Sequence, residues 1–252
     1  MAQPTVFTLS GEYITTESSL PQYYISQNIP SITHKTTFIQ FSRIAVDKED
    51  PEAPFLPHHT TVPTVDGQPP IPTTKLYNLV HPYNAHHRTD IPAAFYMTNN
   101  SAFTTTLGNV KLVSSTSPKS KKRYLPFYKP TFTAMLNPSS NSSSKPLFID
   151  DESSHQPLFI AKPSRGGRVW EWFDAKGENL IAREEGPDPD SQGFPMLPGE
   201  PKINSPGPKL IILAPDEMVE EMQDALVAVW VLRLWWAVAE EKRFDDEGTC
   251  CD

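Results

Sequence analysis

The densest group of side chains able to bind a ligand is a basic run within the sequence SPKSKKRY, in a chain whose formal net charge is −8. The run consists of Lys119, Lys121, Lys122 and Arg123, and Lys129 can extend it a few residues later. Such a cluster attracts anionic lipid headgroups, and it can also act as a short nuclear-import signal. The alternative is a solvated loop between strands. If the run binds lipid, phosphorylation of Ser117, next to Pro118, would weaken it.

Histidines form a second group with chemical potential. They are His58 and His59, His81, and His86 and His87, with Asp90 close to the last pair. Imidazole nitrogens bind divalent metals, but such sites commonly place two histidines four residues apart on a helix, as in HExxH. That spacing does not occur here, so we expect surface histidines and no metal site.

Motifs of catalysis are missing from the sequence. There is no G-x-S-x-G nucleophile turn, no phosphate-cradling glycine loop and no dinucleotide fingerprint. The two cysteines, Cys250 and Cys251, are adjacent, which leaves no partner for a disulfide framework or a four-ligand zinc site. We therefore predict a non-enzymatic protein without a cofactor in a reducing compartment. The preceding acidic sequence FDDEG disfavours palmitoylation of these cysteines.

The excess of acidic residues disfavours nucleic acid as a partner, because the phosphate backbone is itself an anion. The N-terminal residues show neither a basic n-region nor an apolar h-region. We expect a monomer in the cytoplasm, with the nucleus or the membrane surface as alternatives. Its expected partners are anionic membrane lipids or another protein.

Short strands must position these residues. The 27 prolines are spread along the chain, which disfavours long helices before the C-terminal region. Apolar runs of strand length, bounded by Pro, Gly, Asn or Ser, predict about ten to twelve strands. Two hairpins are expected, in KPLFIDDESSHQPLFIAKP and in RVWEWFDAKGENLIARE. In the second hairpin, Trp170 and Trp172 share one face of a strand and Glu171 takes the other, so the tryptophans are expected in the core.

The chain is expected to form a single domain over residues 31–244. We expect residues 1–30 to be partly disordered and residues 245–252 to form an acidic tail. Long irregular loops rich in proline, glycine, serine or charge are predicted at 47–73, 137–145 and 186–208.

The C-terminal region has a different character, because every residue from 225 to 239 is apolar except Arg233. Pro215, followed by Asp216 and Glu217, predicts the first turn of a helix. A helix apolar on all sides lies in a large core or in a bilayer. Fifteen residues rise only about 22 Å, short of a hydrocarbon core of about 30 Å. Arg233 near the bilayer centre would cost about 2.5–3.5 kcal/mol, so a tail anchor is the weaker alternative.

A closed sheet offers a soluble place for this helix. A can of about eleven strands can hold a helix that is about 10–12 Å across. The predicted fold is therefore α+β, a closed antiparallel β-barrel of about 12 strands around a central hydrophobic C-terminal helix. Arg233 must then reach a mouth of the barrel or pair with a carboxylate of the wall, because an unpaired buried charge is costly.

The sequence DALVAVWVLRLWW, preceded by LIILAP and by the WEWFDAKGENLIARE hairpin, resembles the tubby C-terminal-like superfamily of tubby proteins, LURP-one-related proteins and phospholipid scramblases. It is most similar to a group of filamentous-fungal proteins over roughly residues 165–244, and KLYNLVHP, AAFYMT and LGNVKL extend the similarity loosely to about residue 74. The resemblance implies the barrel with its central helix. Tubby domains bind phosphoinositides through basic residues on the barrel surface, although the resemblance assigns none of those residues to a position here.

Three functional hypotheses follow. The first is a non-catalytic intracellular binding module that docks on phosphoinositide or other anionic headgroups through the basic run. The second is a protein-interaction or regulatory scaffold whose contacts lie on the loops at 47–73 and 186–208. The third is a tail-anchored membrane protein.

Overall fold

The part of the chain that the structure describes contains thirteen β-strands, two short 3-10 helices and one long helix. This computed structural model describes residues 3–32, 36–44, 60–62, 71–81, 95–99, 106–115, 130–137, 155–164, 169–186 and 207–248. The strands are β1 Thr5–Ser10, β2 Tyr13–Thr16, β3 Pro21–Ile25, β4 Phe38–Ile44, β5 Thr60–Val62, β6 Ile71–Val80, β7 Phe95–Asn99, β8 Asn109–Ser114, β9 Phe132–Asn137, β10 Gln156–Pro163, β11 Trp170–Phe173, β12 Leu180–Glu185 and β13 Lys209–Ile212. The helix α1 is Glu220–Gly248.

The strands close into a barrel in which each strand pairs antiparallel with its neighbour along the chain. β1 pairs with β13, and β4 pairs with β6 past the short β5. Twelve strands therefore form the closed ring, while β5 adds to one end of β6. The predicted closed antiparallel barrel of about 12 strands with a C-terminal helix is confirmed.

Because successive strands run in opposite directions, their ends fall at two rims. We call the upper rim the barrel end at which Gly11 and Pro208 lie, and the lower rim the end at which Gly177 and Glu220 lie. α1 begins at the lower rim and runs through the barrel, so that Val238 lies beside Gly11 and Pro208 at the upper rim.

The interior is filled by α1 and by alternate side chains of the wall. Every residue from Ala225 to Leu232 is fully buried, and so are Trp170 and Trp172 of β11. The segment Glu220–Ala239 has the length and the mean hydropathy, 1.3, of a helix that can cross a membrane. Most of this segment is enclosed by the barrel, as the all-round apolar pattern predicts for a core helix.

The second predicted hairpin is confirmed as β11 paired with β12. Its turn is closed by Asp174, whose carboxylate accepts hydrogen bonds from the backbone N–H groups of Glu178 at 3.0 Å and Asn179 at 3.3 Å. Gly177 takes the left-handed conformation with φ of 74°, which glycine adopts without a steric penalty. The hydrogen bond from Glu178, together with those from Asn179, holds the pKa of the exposed Asp174 below its ordinary value.

The first predicted hairpin, between the two PLFI runs, is wrong. β10, which contains the second run, pairs with β9 on one edge and with β11 on the other. The first run, residues 146–149, lies outside the described residues. Two similar apolar runs need not pair with each other, and here β9 occupies the edge of β10 that the first run would need.

The N-terminal boundary also needs correction, since residues 5–25 supply three barrel strands and the domain does not start at residue 31. Buried and more exposed side chains alternate along these strands, since Phe7, Leu9 and Ile14 are buried while neighbouring threonines face outward. Without β1 the ring could not close on β13.

The expected start of the helix is shifted as well. Pro215–Glu217 forms a separate 3-10 helix, and Met218 returns to an extended conformation before α1 begins at Glu220. At the other end α1 continues to Gly248, beyond the expected boundary at residue 244. The expected loop at 47–73 includes β5 and the start of β6, whereas the other two expected loops lie almost wholly outside the described residues.

Candidate functional site

The buried charge of the helix is paired with the wall. Arg233 donates from Nε to Glu184 Oε1 at 2.7 Å and from Nη2 to Glu184 Oε2. Trp172 Nε1 donates to the same Oε1 at 2.9 Å, and the Arg233 guanidinium lies 5.0 Å from the centre of the Trp170 ring. The expected pairing of Arg233 with a wall carboxylate is confirmed. All these groups are buried, and their contacts tie the middle of α1 to β11 and β12.

A second polar cluster lies where α1 enters at the lower rim. Asp224 is buried and accepts a hydrogen bond from Tyr23 Oη at 2.8 Å. It also pairs with Arg43, and Nη1 of Arg43 lies 2.5 Å from Glu220 Oε1. Burial raises the pKa of Tyr23 from its ordinary value of 10.0 to about 12, so its hydroxyl stays protonated and able to donate further into the alkaline range. These contacts tie the first turns of α1 to β3 and β4. Asp224 could have been suspected from sequence as a carboxylate directly before a fully apolar stretch.

Of the histidine group identified in the sequence, the structure describes His81. His81 stacks on Phe95 with ring centres 4.0 Å apart and meets the edge of Trp235 at 6.1 Å. The other histidines of the group lie outside the described residues. Within the described parts of the chain, no cluster of three or more His, Cys, Asp or Glu side chains could hold a metal ion.

The predicted lipid-binding residues, Lys119, Lys121, Lys122, Arg123 and Lys129, lie outside the described residues. The strands on either side of them are described, however. Ser115 N donates to Thr131 O at 2.8 Å, and Thr131 N donates to Ser115 Oγ at 2.9 Å. The connection between β8 and β9, residues 116–130, is therefore anchored at the upper rim by a closed pair of strand ends.

Charge is distributed unequally between the connections of the two rims. Residues 116–130, at the upper rim, contain five basic residues and no acidic residue. The next upper-rim connection around the ring, between β10 and β11, adds Arg165 and Arg168. At the lower rim, residues 213–224 contain five acidic residues and no basic residue. The strand ends that flank these two basic connections thus lie on one side of the upper rim, and the helix entrance at the lower rim is acidic.

Among the described residues, exposed apolar side chains do not distinguish the rims. Val113, 38% exposed, and Phe38, 47% exposed, lie towards the upper rim, while Leu20 and Val219 are exposed at the lower rim. The lower-rim helix entrance is uniformly acidic, whereas the upper rim combines two basic connections with the acidic 186–208 connection and the acidic end of α1.

The upper rim also contains a pocket of about 240 Å³. It lies where the β1–β2 turn, the 3-10 helix Ile29–Ser31 and the residues leading into β13 meet the upper part of α1. No sequence pattern predicts this pocket, because it is formed by four segments that are remote along the chain.

Scans of protein-family models, of curated proteins and of solved structures each found no match for this chain.

Proposed function

We propose that the protein is a non-catalytic binding module that docks on anionic lipid headgroups through the basic connection at residues 116–130. The observation that supports this function is the position of the connection, which leaves and re-enters the barrel at the rim opposite the acidic helix entrance. In this orientation the basic connection faces the membrane and the acidic helix entrance, residues 216–224, faces away from it, whereas the acidic residues of the 186–208 connection and of the end of α1 belong to the same rim as the basic connection.

The acidic helix entrance at the lower rim is too far from the upper rim to repel a membrane that contacts the basic connection. The 20 residues from Glu220 to Ala239 rise about 30 Å through the barrel. Charges in solution are screened over about 8 Å at physiological ionic strength. The acidic lower rim therefore contributes little repulsion at a membrane that touches the upper rim. Each basic residue near an anionic membrane surface contributes about 1 kcal/mol, so four or five in one connection suffice for salt-sensitive docking.

The resemblance to tubby-like barrels supports phosphoinositides as the headgroup class within this proposal. A phosphoinositide presents several phosphate charges in one headgroup, which suits a short, dense basic run better than single charges spread over a surface.

The scaffold alternative has less support. The loop expected at 47–73 follows β4 and so leaves the barrel at the lower rim, whereas the loop at 186–208 joins β12 to β13 at the upper rim. A single partner contacting both would have to span the length of the barrel. The tail-anchor alternative would require α1 to leave a barrel in which it is now buried.

The test is flotation with vesicles of phosphatidylcholine containing phosphatidylinositol bisphosphate, at low and physiological salt. We expect binding that weakens as salt rises and that is lost in the triple variant Lys121→Glu, Lys122→Glu, Arg123→Glu. The matched control reverses three charges in lower-rim connections instead, Lys48→Glu, Lys145→Glu and Lys176→Glu. Equal loss in both variants, or no binding of the wild-type protein at low salt, would exclude the proposed function.

A further inference from the structure

The upper-rim pocket has the chemistry of an aliphatic binding site. The apolar side chains that line it are Leu9, Ile29, Pro30, Pro208, Leu234 and Val238. Ser10 and Asn28 are the polar side chains of its lining, and no charged side chain of the described residues contributes to it. A charged or strongly hydrated group would lose its solvation here without a compensating partner, so the lining favours an uncharged, apolar ligand.

The pocket is also built from rigid parts. A Cβ atom placed on Gly207 would lie 1.9 Å from the carbonyl oxygen of Leu9, so the two main chains are in contact at one side of the pocket. Leu9 N donates to Pro208 O at 3.0 Å across the same contact. Leu234 and Val238 are held by the buried helix at 2% and 3% exposure. These contacts form the walls of the pocket in the unliganded protein, as is usual for small-molecule sites.

The size of the pocket limits its occupant. An apolar cavity of about 150 Å³ is known to hold benzene. A volume of about 240 Å³ admits a larger group, on the scale of part of a lipid chain but not a whole lipid.

The position of the pocket connects it to the proposed function. It opens at the same rim as the basic connection but across the ring from it, since β1 and β13 lie on the opposite side from β8 and β9. A barrel docked by its basic connection would therefore present the pocket to the same bilayer. The pocket would meet a different lipid molecule from the one that the basic connection binds. We propose that the pocket receives the aliphatic chain of a membrane lipid, an inference that rests on the proposed docking of the upper rim.

The first experiment uses 1-decanol, an uncharged aliphatic probe, and methyl NMR of protein labelled at leucine and valine. We expect saturable shifts of the methyl signals of Leu9, Leu234 and Val238. The exposed methyl groups of Leu20 and Val219 serve as internal controls and should not move in parallel. Shifts of equal size at the exposed methyl groups, or none in the pocket up to the solubility limit of decanol, would overturn the proposal.

A blocking variant with a matched control sharpens the result. Ser10→Phe places a ring at an exposed position that lines the pocket, whereas Ser18→Phe makes the same change at an exposed turn of the lower rim. We expect at least a tenfold weaker decanol affinity for Ser10→Phe and no change for Ser18→Phe. Unchanged affinity in Ser10→Phe, with a normal melting temperature, would place decanol elsewhere and overturn the proposal.

The second experiment uses anionic vesicles that contain phosphatidylcholine with a photoreactive diazirine in its acyl chain. Cross-links at the β1–β2 turn and at residues 28–30 support the proposal, provided that Ser10→Phe removes them. Vesicle binding without decanol binding or such cross-links overturns the pocket proposal and leaves the proposed function intact. Decanol binding in the pocket without any vesicle binding overturns the lipid source and the proposed function together.

Discussion

Removal of the Glu184 carboxylate should destabilise the barrel more than removal of both members of its ion pair. In Glu184→Leu the guanidinium of Arg233, 1% exposed, keeps its charge and loses its partner. Breaking a buried pair in this way costs about 3–5 kcal/mol. For a chain of this length, about 2–4 °C of melting temperature is lost per kcal/mol, which gives a decrease of about 6–20 °C.

The double variant, Glu184→Leu with Arg233→Met, should recover much of that loss. Replacing a buried ion pair by apolar side chains of similar volume is often neutral or stabilising. Trp172 Nε1 loses its acceptor in both the single and the double variant, so its cost of about 1–3 kcal/mol cancels when the two are compared. We expect the second substitution to raise the free energy of unfolding by about 3 kcal/mol relative to Glu184→Leu alone.

The assay is urea unfolding followed by tryptophan fluorescence, with Arg233→Met measured to complete the double-mutant cycle. Glu185→Leu is the matched control, since Glu185 is exposed in the same strand, and it should change stability by no more than about 0.5 kcal/mol. A double variant that is as unstable as Glu184→Leu, or less stable, would refute the view that the uncompensated charge causes the loss.

Three further predictions test the core, the closure of the ring and the buried tyrosines. Trp230→Asp should leave no cooperative thermal transition, because it places a charge at a fully buried position of the helix; a normal transition would contradict this. Gly207→Ala should lower the melting temperature, because its Cβ would collide with the main chain of Leu9, and an unchanged value would refute the close approach. Burial raises the pKa values of Tyr23 and Tyr77 from 10.0 to about 12, so the unfolded state releases these protons first as pH rises. Stability should be intact below about pH 10 and fall towards pH 12, and the combined Tyr→Phe variant should show a smaller decrease in alkaline urea titrations.

The local pattern of apolar and turn residues was sufficient to predict those elements that pair with a neighbour close in sequence. The β11–β12 hairpin follows from its alternation and from the turn residues between Asp174 and Gly177. The all-round apolar stretch and the number of short strands together predicted a barrel around a helix. Burial of Arg233 required a carboxylate in the wall, but the sequence contained no means of choosing Glu184 from the other acidic residues.

What could not be predicted depends on pairing between distant strands. The strand β1 is short and rich in threonine, and its place in the barrel is determined by β13, which follows it by some two hundred residues. The rim at which a connection lies depends on the number of strands before it. The three missed N-terminal strands therefore left the position of the basic connection undefined, although the residues themselves were identified.

The acidic helix entrance at the lower rim has a structural cause. Acidic residues in the first turn of α1, Glu220 and Glu221, lie at the positive end of the helix dipole, and Asp224 is required by Arg43 and Tyr23. The acidic entrance would therefore exist in a barrel with no ligand at all. The helix dipole does not account for the basic connection at 116–130, because this connection joins two wall strands and the dipole acts only near the ends of α1. Reversal of the lower-rim charges around α1 should consequently change stability, whereas reversal of Lys121, Lys122 and Arg123 should change vesicle binding at constant melting temperature.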